Sequence, residues 1–287
     1  MRIWGALVCL VLAARAGRPA VDDAIEAAAI AGDPRAQLTL GHMHATGIGR
    51  PLDGAAAVRW WRPAAEAGLV LAQNNMGSMH VRGEGVARDL AEALKWYRMA
   101  AAQGNPRSQR YVSLAYAQGL GVEKDPDQAA CWAALATANT SAEADIVFGT
   151  DALEGRPQAD LSDAETAARF RAGAEAGSAR AQYYYALALI NGVGIAADPR
   201  AAAQWMERSA RQGSVDAAHS LGLMHALGLG LPRNPQAAQV WFRIAEGLES
   251  DIGAYMAGLN SAALSVSEKF AADASAAAFA PRLEPAD

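Results

Sequence analysis

Cysteine is nearly absent. The 287 residues contain two, Cys9 and Cys131, and Cys9 sits inside an N-terminal apolar run that reads as removable. The chain that remains has one thiol, so it forms no internal disulfide even in an oxidising compartment. Basic blocks are also missing. Lys and Arg number 25 against 30 Asp and Glu, a net charge of −5, and removal of residues 1–16, which hold Arg2 and Arg15 and no acid, leaves 23 against 30. With no basic block left, that balance argues against a surface for nucleic acid or an anionic membrane. The apolar run Ile3 to Ala14 is too short to span a bilayer as a helix, which takes roughly 20 residues. No H-E-x-x-H, G-x-x-x-x-G-K-[ST] or S-x-x-K occurs, so the common signatures of zinc hydrolysis, nucleotide binding and acyl-serine chemistry are lacking.

What is present begins with a targeting pattern. Arg2 supplies a basic start, Ile3 to Ala14 an apolar stretch, and Ala14-Arg15-Ala16 a small-x-small cleavage site, the form of a secretory signal peptide over residues 1–16. The expectation is an exported chain, periplasmic or secreted, with no stable membrane span after cleavage. An uncleaved anchor is the other reading of the same run.

The rest of the chain repeats. In the stretch from Ala72 to Gly104, a slide of 36 residues back superposes Ala36, Gly47, Gly49, Asp53, Ala57, Trp60 and Gly68 on Ala72, Gly83, Gly85, Asp89, Ala93, Trp96 and Gly104. A slide of 36 forward reaches Gly119, Gly121, Asp125, Ala129 and Trp132. The pattern returns 73 residues later at Gly192, Gly194, Asp198, Ala202 and Trp205, and once more at Gly228, Gly230, Asn234, Ala238 and Trp241. Five matches at a fixed period point to stacked supersecondary units.

Each unit reads as two helices. Asp33-Pro34 and Asn105-Pro106 open first helices, with a capping side chain followed by a proline that loses no bond at the first helical position. The stripe Ala72, Met76, Gly77, His80 has helical spacing, and its small residues admit a close second helix. The G-x-G of each unit ends that helix, since glycine adopts the left-handed conformation a sharp reversal requires. A phosphate loop would follow a strand and open a helix, which these do not. Second helices start at Asp53, Asp89, Asp125, Asp198 and Asn234, with Asp89 and Glu92 spaced as a capping box. The tryptophan filling one slot in all five units is expected to wedge the helix pair against its neighbour. Two stretches break the period; Ser162/Glu165 and Ser265/Glu268 within them also have capping-box spacing. Pro281 to Asp287 reads as a disordered tail.

The order A-x-x-x-[LM]-[GSA]-x-x-[YH], G-x-G, D or N, A-x-x-W, A-A-x-x-G resembles the Sel1-like repeat, a relative of the tetratricopeptide repeats. The resemblance covers about 36–68, 72–104, 108–140, 181–213 and 217–249, with 144–180 and 250–280 as divergent helical segments, within a repeat array of 17–280. It implies an all-α, right-handed α/α superhelix of antiparallel helix pairs, non-catalytic and monomeric, that holds a protein or peptide ligand in its concave groove and uses no cofactor. A cysteine-rich branch of the family carries a disulfide in each repeat and is linked to penicillin binding. This chain lacks those cysteines, so a cell-wall hydrolase or penicillin-binding role is the lesser alternative.

By analogy with tetratricopeptide geometry, the concave face uses Arg35, Leu38, His42 and Thr46; Leu71, Asn74, Ser78 and Arg82; Arg107, Arg110, Leu114 and Gln118; Arg180, Tyr183, Leu187 and Asn191; Asp216, His219 and Leu223. Among these Asn74, Arg82, Arg110, Tyr183 and His219 are the candidate partner-binding residues, because Arg and Tyr often dominate interfaces. His44, His80 and His225 share one slot, but equivalent residues on stacked helices lie about 8–10 Å apart, too far for one zinc with ligands at about 2 Å, so packing is the expectation. Ser220, in Ala218-His219-Ser220-Leu221-Gly222, is similar to a nucleophile elbow yet falls within a helix and not on the strand-to-helix turn that motif needs. Cys131 holds a slot that is Val240 in the unit before the second divergent segment, and is therefore expected to be a buried apolar residue.

Overall fold

The computed structural model describes residues 20–138, 162–248 and 251–281; residues 1–16, read above as a signal peptide, residues 144–161 of the first divergent segment and the tail from 282 lie outside the described residues. Fourteen α-helices and no strand occur among the described residues. Unit one is α2 (Pro34–Thr46) and α3 (Gly54–Glu66), preceded by α1 (Ala20–Ile30). Unit two is α4 (Val70–Arg82) and α5 (Leu90–Ala102), and unit three is α6 (Pro106–Gln118) and α7 (Pro126–Ala138). After α8 (Asp163–Glu175) come unit four, α9 (Ala179–Asn191) and α10 (Pro199–Arg211), and unit five, α11 (Val215–Leu227) and α12 (Pro235–Gly247). The described chain closes with α13 (Asp251–Asn260), a 3₁₀ turn (Ser261–Ala263) and α14 (Val266–Ala277). Successive helices pack on one another from α1 to α7 and from α8 to α13, and α14 packs on α12, giving an all-α right-handed solenoid.

The units are built by one recurring set of local bonds. The carboxylate or amide oxygen of Asp53, Asp89, Asp198 and Asn234 accepts from backbone N–H groups one turn ahead, satisfying donors that no helical partner reaches. The backbone N–H of each second-helix cap in turn donates to the carbonyl of the slot shared by His44, His80, Tyr116, Leu189 and His225, at 2.8–3.0 Å. This bond runs through the main chain, which explains why the slot tolerates His, Tyr or Leu. In the reversal between them, Gly83 and Gly85 have φ of 72° and 69°, and a side chain on Gly85 would collide with the backbone of Gly54 at the start of α3. Ser162/Glu165 and Ser265/Glu268 form complete capping boxes. Asp89/Glu92 does not: Asp89 accepts from the Glu92 N–H, but the Glu92 carboxylate pairs with Lys95 at 2.7 Å, a charge-assisted partner one helical turn away.

The tryptophan slot is not the deepest wedge. Trp96 and Trp241 are buried, whereas Trp60, Trp132 and Trp205 are half-buried. In units one, four and five the residue after the tryptophan, Trp61, Met206 or Phe242, goes deeper, and in units one, two and five the aromatic at that position meets a first-helix glycine. Trp61 packs on Gly41, Tyr97 on Gly77 and Phe242 on Gly222, and a Cβ at Gly77 would lie 2.7 Å from Tyr97. Units three and four, whose residue after the tryptophan is Ala133 or Met206, hold Ser113 and Ala186 in the glycine slot. The aromatic side chains are the ones that meet glycine, as close packing demands.

A glutamine ladder joins the units. Gln37, Gln73, Gln109 and Gln182 are buried and each donates from Nε2 to a carbonyl at the end of the preceding helix, those of Ala29, Ala65, Ala101 and Ala174, at 3.0–3.3 Å. Gln103 and Gln212 extend it, donating to Gln73 and Gln182 at 2.8 Å. Because Ala29 and Ala174 occupy the acceptor position, α1 and α8 act as second helices of partial units.

Candidate functional site

The first-helix slots expected to face the groove fall into two sets. In units one, four and five several of them meet one another. Leu38, Thr46, Tyr183, His219 and Leu223 are all less than a tenth exposed. The Asn191 amide donates to the Thr46 carbonyl at 2.8 Å, His42 Nε2 lies 3.2 Å from the Ser220 hydroxyl, and the His42 and His219 rings stand 4.9 Å apart. Helix α1 reaches α11 and α13 across the same seam. Its carboxylates Asp22 and Glu26 bind Arg50 at 2.7 and 3.1 Å, and Val21 and Ala24 line a cavity of about 160 Å³ with Ala226, Arg233 and Asn260.

Of the five residues singled out in the sequence, Tyr183 and His219 are therefore enclosed in this seam. Helices α2, α9 and α11 present their inner stripes to one another, and apolar and polar burial removes both side chains from solvent. Asn74 is also buried, at 4% exposure; its amide oxygen accepts from Ser108 Oγ at 3.1 Å, tying unit two to unit three. Arg82 remains exposed, paired with Glu84 at 3.1 Å, and Arg110 is half-buried. Around these two, Leu71, Ser78, Arg107 and Leu114 are half-buried and Gln118 is exposed. Apart from Asn74, the slots of units two and three thus keep access to solvent, whereas in the other units Arg35 and Asp216 are exposed at the edge of the buried seam.

Aromatic and basic groups meet at the border of the two sets. The Tyr97 hydroxyl reaches Ser78, and burial pushes its pKa up to about 12, with Arg82 and Arg107 opposing the rise. Tyr183 is raised well above its ordinary value by burial, and Arg107 opposes that shift also, so this one guanidinium acts on hydroxyls from units two and four. Arg180 lies over the Tyr184 ring at 5.4 Å. Both tyrosines stay neutral through the physiological range and offer hydroxyls for hydrogen bonding.

The Ser220 and His42 contact invites comparison with a nucleophile and base. Ser220 is fully buried in the middle of α11, however, and neither it nor His42 borders the cavities at the α1 seam or between α12 and α14. A nucleophile must present its oxygen to a substrate, and this one faces the packed interior. Among the described residues no three His, Cys, Asp or Glu side chains stand close enough to share a metal ion, and no helix is long and apolar enough to cross a membrane. His44, His80 and His225 pack as separate members of their units. Cys131 is exposed, contrary to the expectation of burial: α14 packs on α12 and leaves Val240 half-buried against the core, while the outer face of α7 has no such cover among the described residues.

The sequence reading missed the seam, the glutamine ladder and the pairing of aromatics with glycine. The ladder had a legible signal, Gln following the leading Ala or Ser at 37, 73, 109 and 182. The seam had none, because it joins residues as far apart in the chain as His42 and Ser220, 178 positions.

Comparison with known proteins bears on the identity of the units. The family model described as Sel1 repeat matches residues 34–69, 70–105, 106–141, 179–214 and 215–246. No curated protein matches the chain. Among solved structures, the chain is similar to c5321, a protective antigen present in uropathogenic Escherichia coli strains displaying an SLR fold, with 28% identity and a TM-score of 0.42 over 88% of this chain and 54% of that one. It thus spans about half the length of c5321. It is also similar to a Sel1 repeat protein from Oxalobacter formigenes, with 36% identity and a TM-score of 0.39 over 42% of this chain and 91% of that one. Five matched units across most of the described chain, each with the same caps, reversals and helix pair, make this protein a member of the Sel1 repeat family.

Proposed function

We propose that the protein is a non-catalytic binding scaffold that takes a protein or peptide segment on the inner face of units two and three. The observation carrying this reading is an unequal division of the first-helix slots: Leu38, Thr46, Tyr183, His219 and Leu223 of units one, four and five are buried against one another, while Arg82, Arg110, Leu114 and Gln118 of units two and three keep access to solvent. Guanidinium groups beside half-buried leucines and tyrosine hydroxyls supply both hydrogen bonds and apolar contact, the mixture that interfaces favour. Sel1 repeats serve protein–protein interaction, and the family match extends that role to this chain. Its working location is outside the cytoplasm, in keeping with the signal-peptide pattern of residues 1–16, and mass spectrometry of the mature N-terminus tests that placement.

Affinity capture with the purified chain tests the surface. A partner held by the wild type should be lost with Arg82→Ala/Arg110→Ala and kept with Arg62→Ala/Arg98→Ala, which changes arginines on second helices. Equal capture by both double variants would remove the inner face of units two and three from the role.

A further inference from the structure

The seam between units one and five is polar at its centre, an unusual choice for a contact between distant parts of a repeat array. His219 is 3% exposed, and its Nε2 has no hydrogen-bond partner. Its ring stands 4.9 Å from His42 on one side and 6.1 Å from Phe242 on the other. His42 Nε2 is 3.2 Å from Ser220 Oγ. Two imidazoles at this separation cannot both be charged without strong repulsion, and a buried imidazolium without an acceptor is costly to desolvate.

We propose that this seam is an acid-operated clasp: at neutral pH the uncharged His42 and His219 let α2 lie in the groove of α9 and α11, and acidification separates unit one from units four and five. Opening exposes Tyr183, His219 and Leu223, which the closed form buries. The clasp is independent of whether units two and three bind a partner.

The groups facing the pair are few. From α11 come Asp216, whose carboxylate favours charge on His42, and Ser220; from α9 comes the neutral Tyr183; from α12, Phe242. The α1 carboxylates Asp22 and Glu26 are engaged by Arg50. On α13, Tyr255 lies near Asp33 and Arg35, and burial raises its hydroxyl to about 12, so it does not titrate with the pair. Burial holds His42 below its ordinary value of 6.5, with Asp216 opposing, and holds His219 well below it, with His42 adding to the effect. The sign follows from linkage. The open form binds protons more readily than the closed one, so closure is at full strength above about pH 6.5 and weakens as pH falls from there toward the depressed closed-state values. Asp216 stabilises the protonated closed form, so its removal should make the clasp more sensitive to acid.

Small-angle scattering of the full chain from pH 8 to pH 4.5, with far-UV circular dichroism on the same samples, tests the clasp. The expected result is a rise in radius of gyration below about pH 6.5 with helicity unchanged. The Asp216→Asn variant, at an exposed position, should expand at a higher pH than the wild type. The His42→Gln/His219→Phe variant should stay at the pH 8 size throughout; if that variant does not fold, the Asp216→Asn shift carries the test alone. An unchanged radius in the wild type, an expansion that coincides with loss of helix, an equal expansion in the histidine-free variant, or an Asp216→Asn midpoint at or below that of the wild type overturns the proposal.

Discussion

Helices α7 and α12 occupy the same position in units three and five, and their surroundings differ. On α12, Trp241 and Phe242 are buried, α14 packs alongside, Phe279 meets Trp241 edge-on at 6.2 Å and Arg243 pairs with Asp273 at 2.9 Å. On α7, Trp132 is half-buried, Leu135 is 42% exposed and Cys131 is exposed. Identical slots therefore carry unequal shares of the packing. The cover on α12 comes from the adjoining helix α14, so the slot fixes where a side chain points and the neighbour fixes whether it is covered.

The largest test of that difference is truncation. Phe242→Ala should cost about 3–5 kcal/mol, the range for a fully buried aromatic. Trp132→Ala should cost roughly 1–2 kcal/mol, because much of its surface is already in water. Urea unfolding measures both, and equal costs would break the comparison. The pairing of aromatics with glycine gives a smaller effect: Gly222→Ala places a Cβ about 2.5 Å from Phe242 and should cost about 1–3 kcal/mol by overpacking. Ser113→Ala, in the same slot of unit three, loses its hydrogen bond to the Ala129 carbonyl for about 1 kcal/mol. Thermal melts that order these the other way would sink the size-matching rule. The gentlest test is chemical. Native Cys131 should react with a thiol reagent nearly as fast as a free peptide thiol, and a thiol placed by Val240→Cys in a chain lacking Cys131 should react several-fold more slowly, as its half-buried slot dictates.

Much of the architecture was legible because it is local. Caps at Asp53, Asp89, Asp198 and Asn234, prolines 34, 106, 199 and 235 at the first helical position, and glycines at the reversals act within a few residues of themselves, and a fixed period then implies stacking. The Asp89/Glu92 box failed for a reason of the same range, since Lys95 competes for the Glu92 carboxylate. The candidate groove was legible only as a list of inward slots. Arg82 and Arg110 keep access to solvent, but Tyr183 and His219 lie in a contact with α2, whose partners are too distant in sequence for periodicity to register.

The order of residues alone determined the helix pairs, their period, the sharp reversals and the inward side of each first helix, because those follow from backbone conformation and one-turn hydrogen bonds. Tertiary structure decided which inward residues face solvent, which aromatic wedges deepest and whether Cys131 is covered. The physical reason is curvature: small angles between successive helix pairs accumulate along the array, and only their sum brings unit one against units four and five.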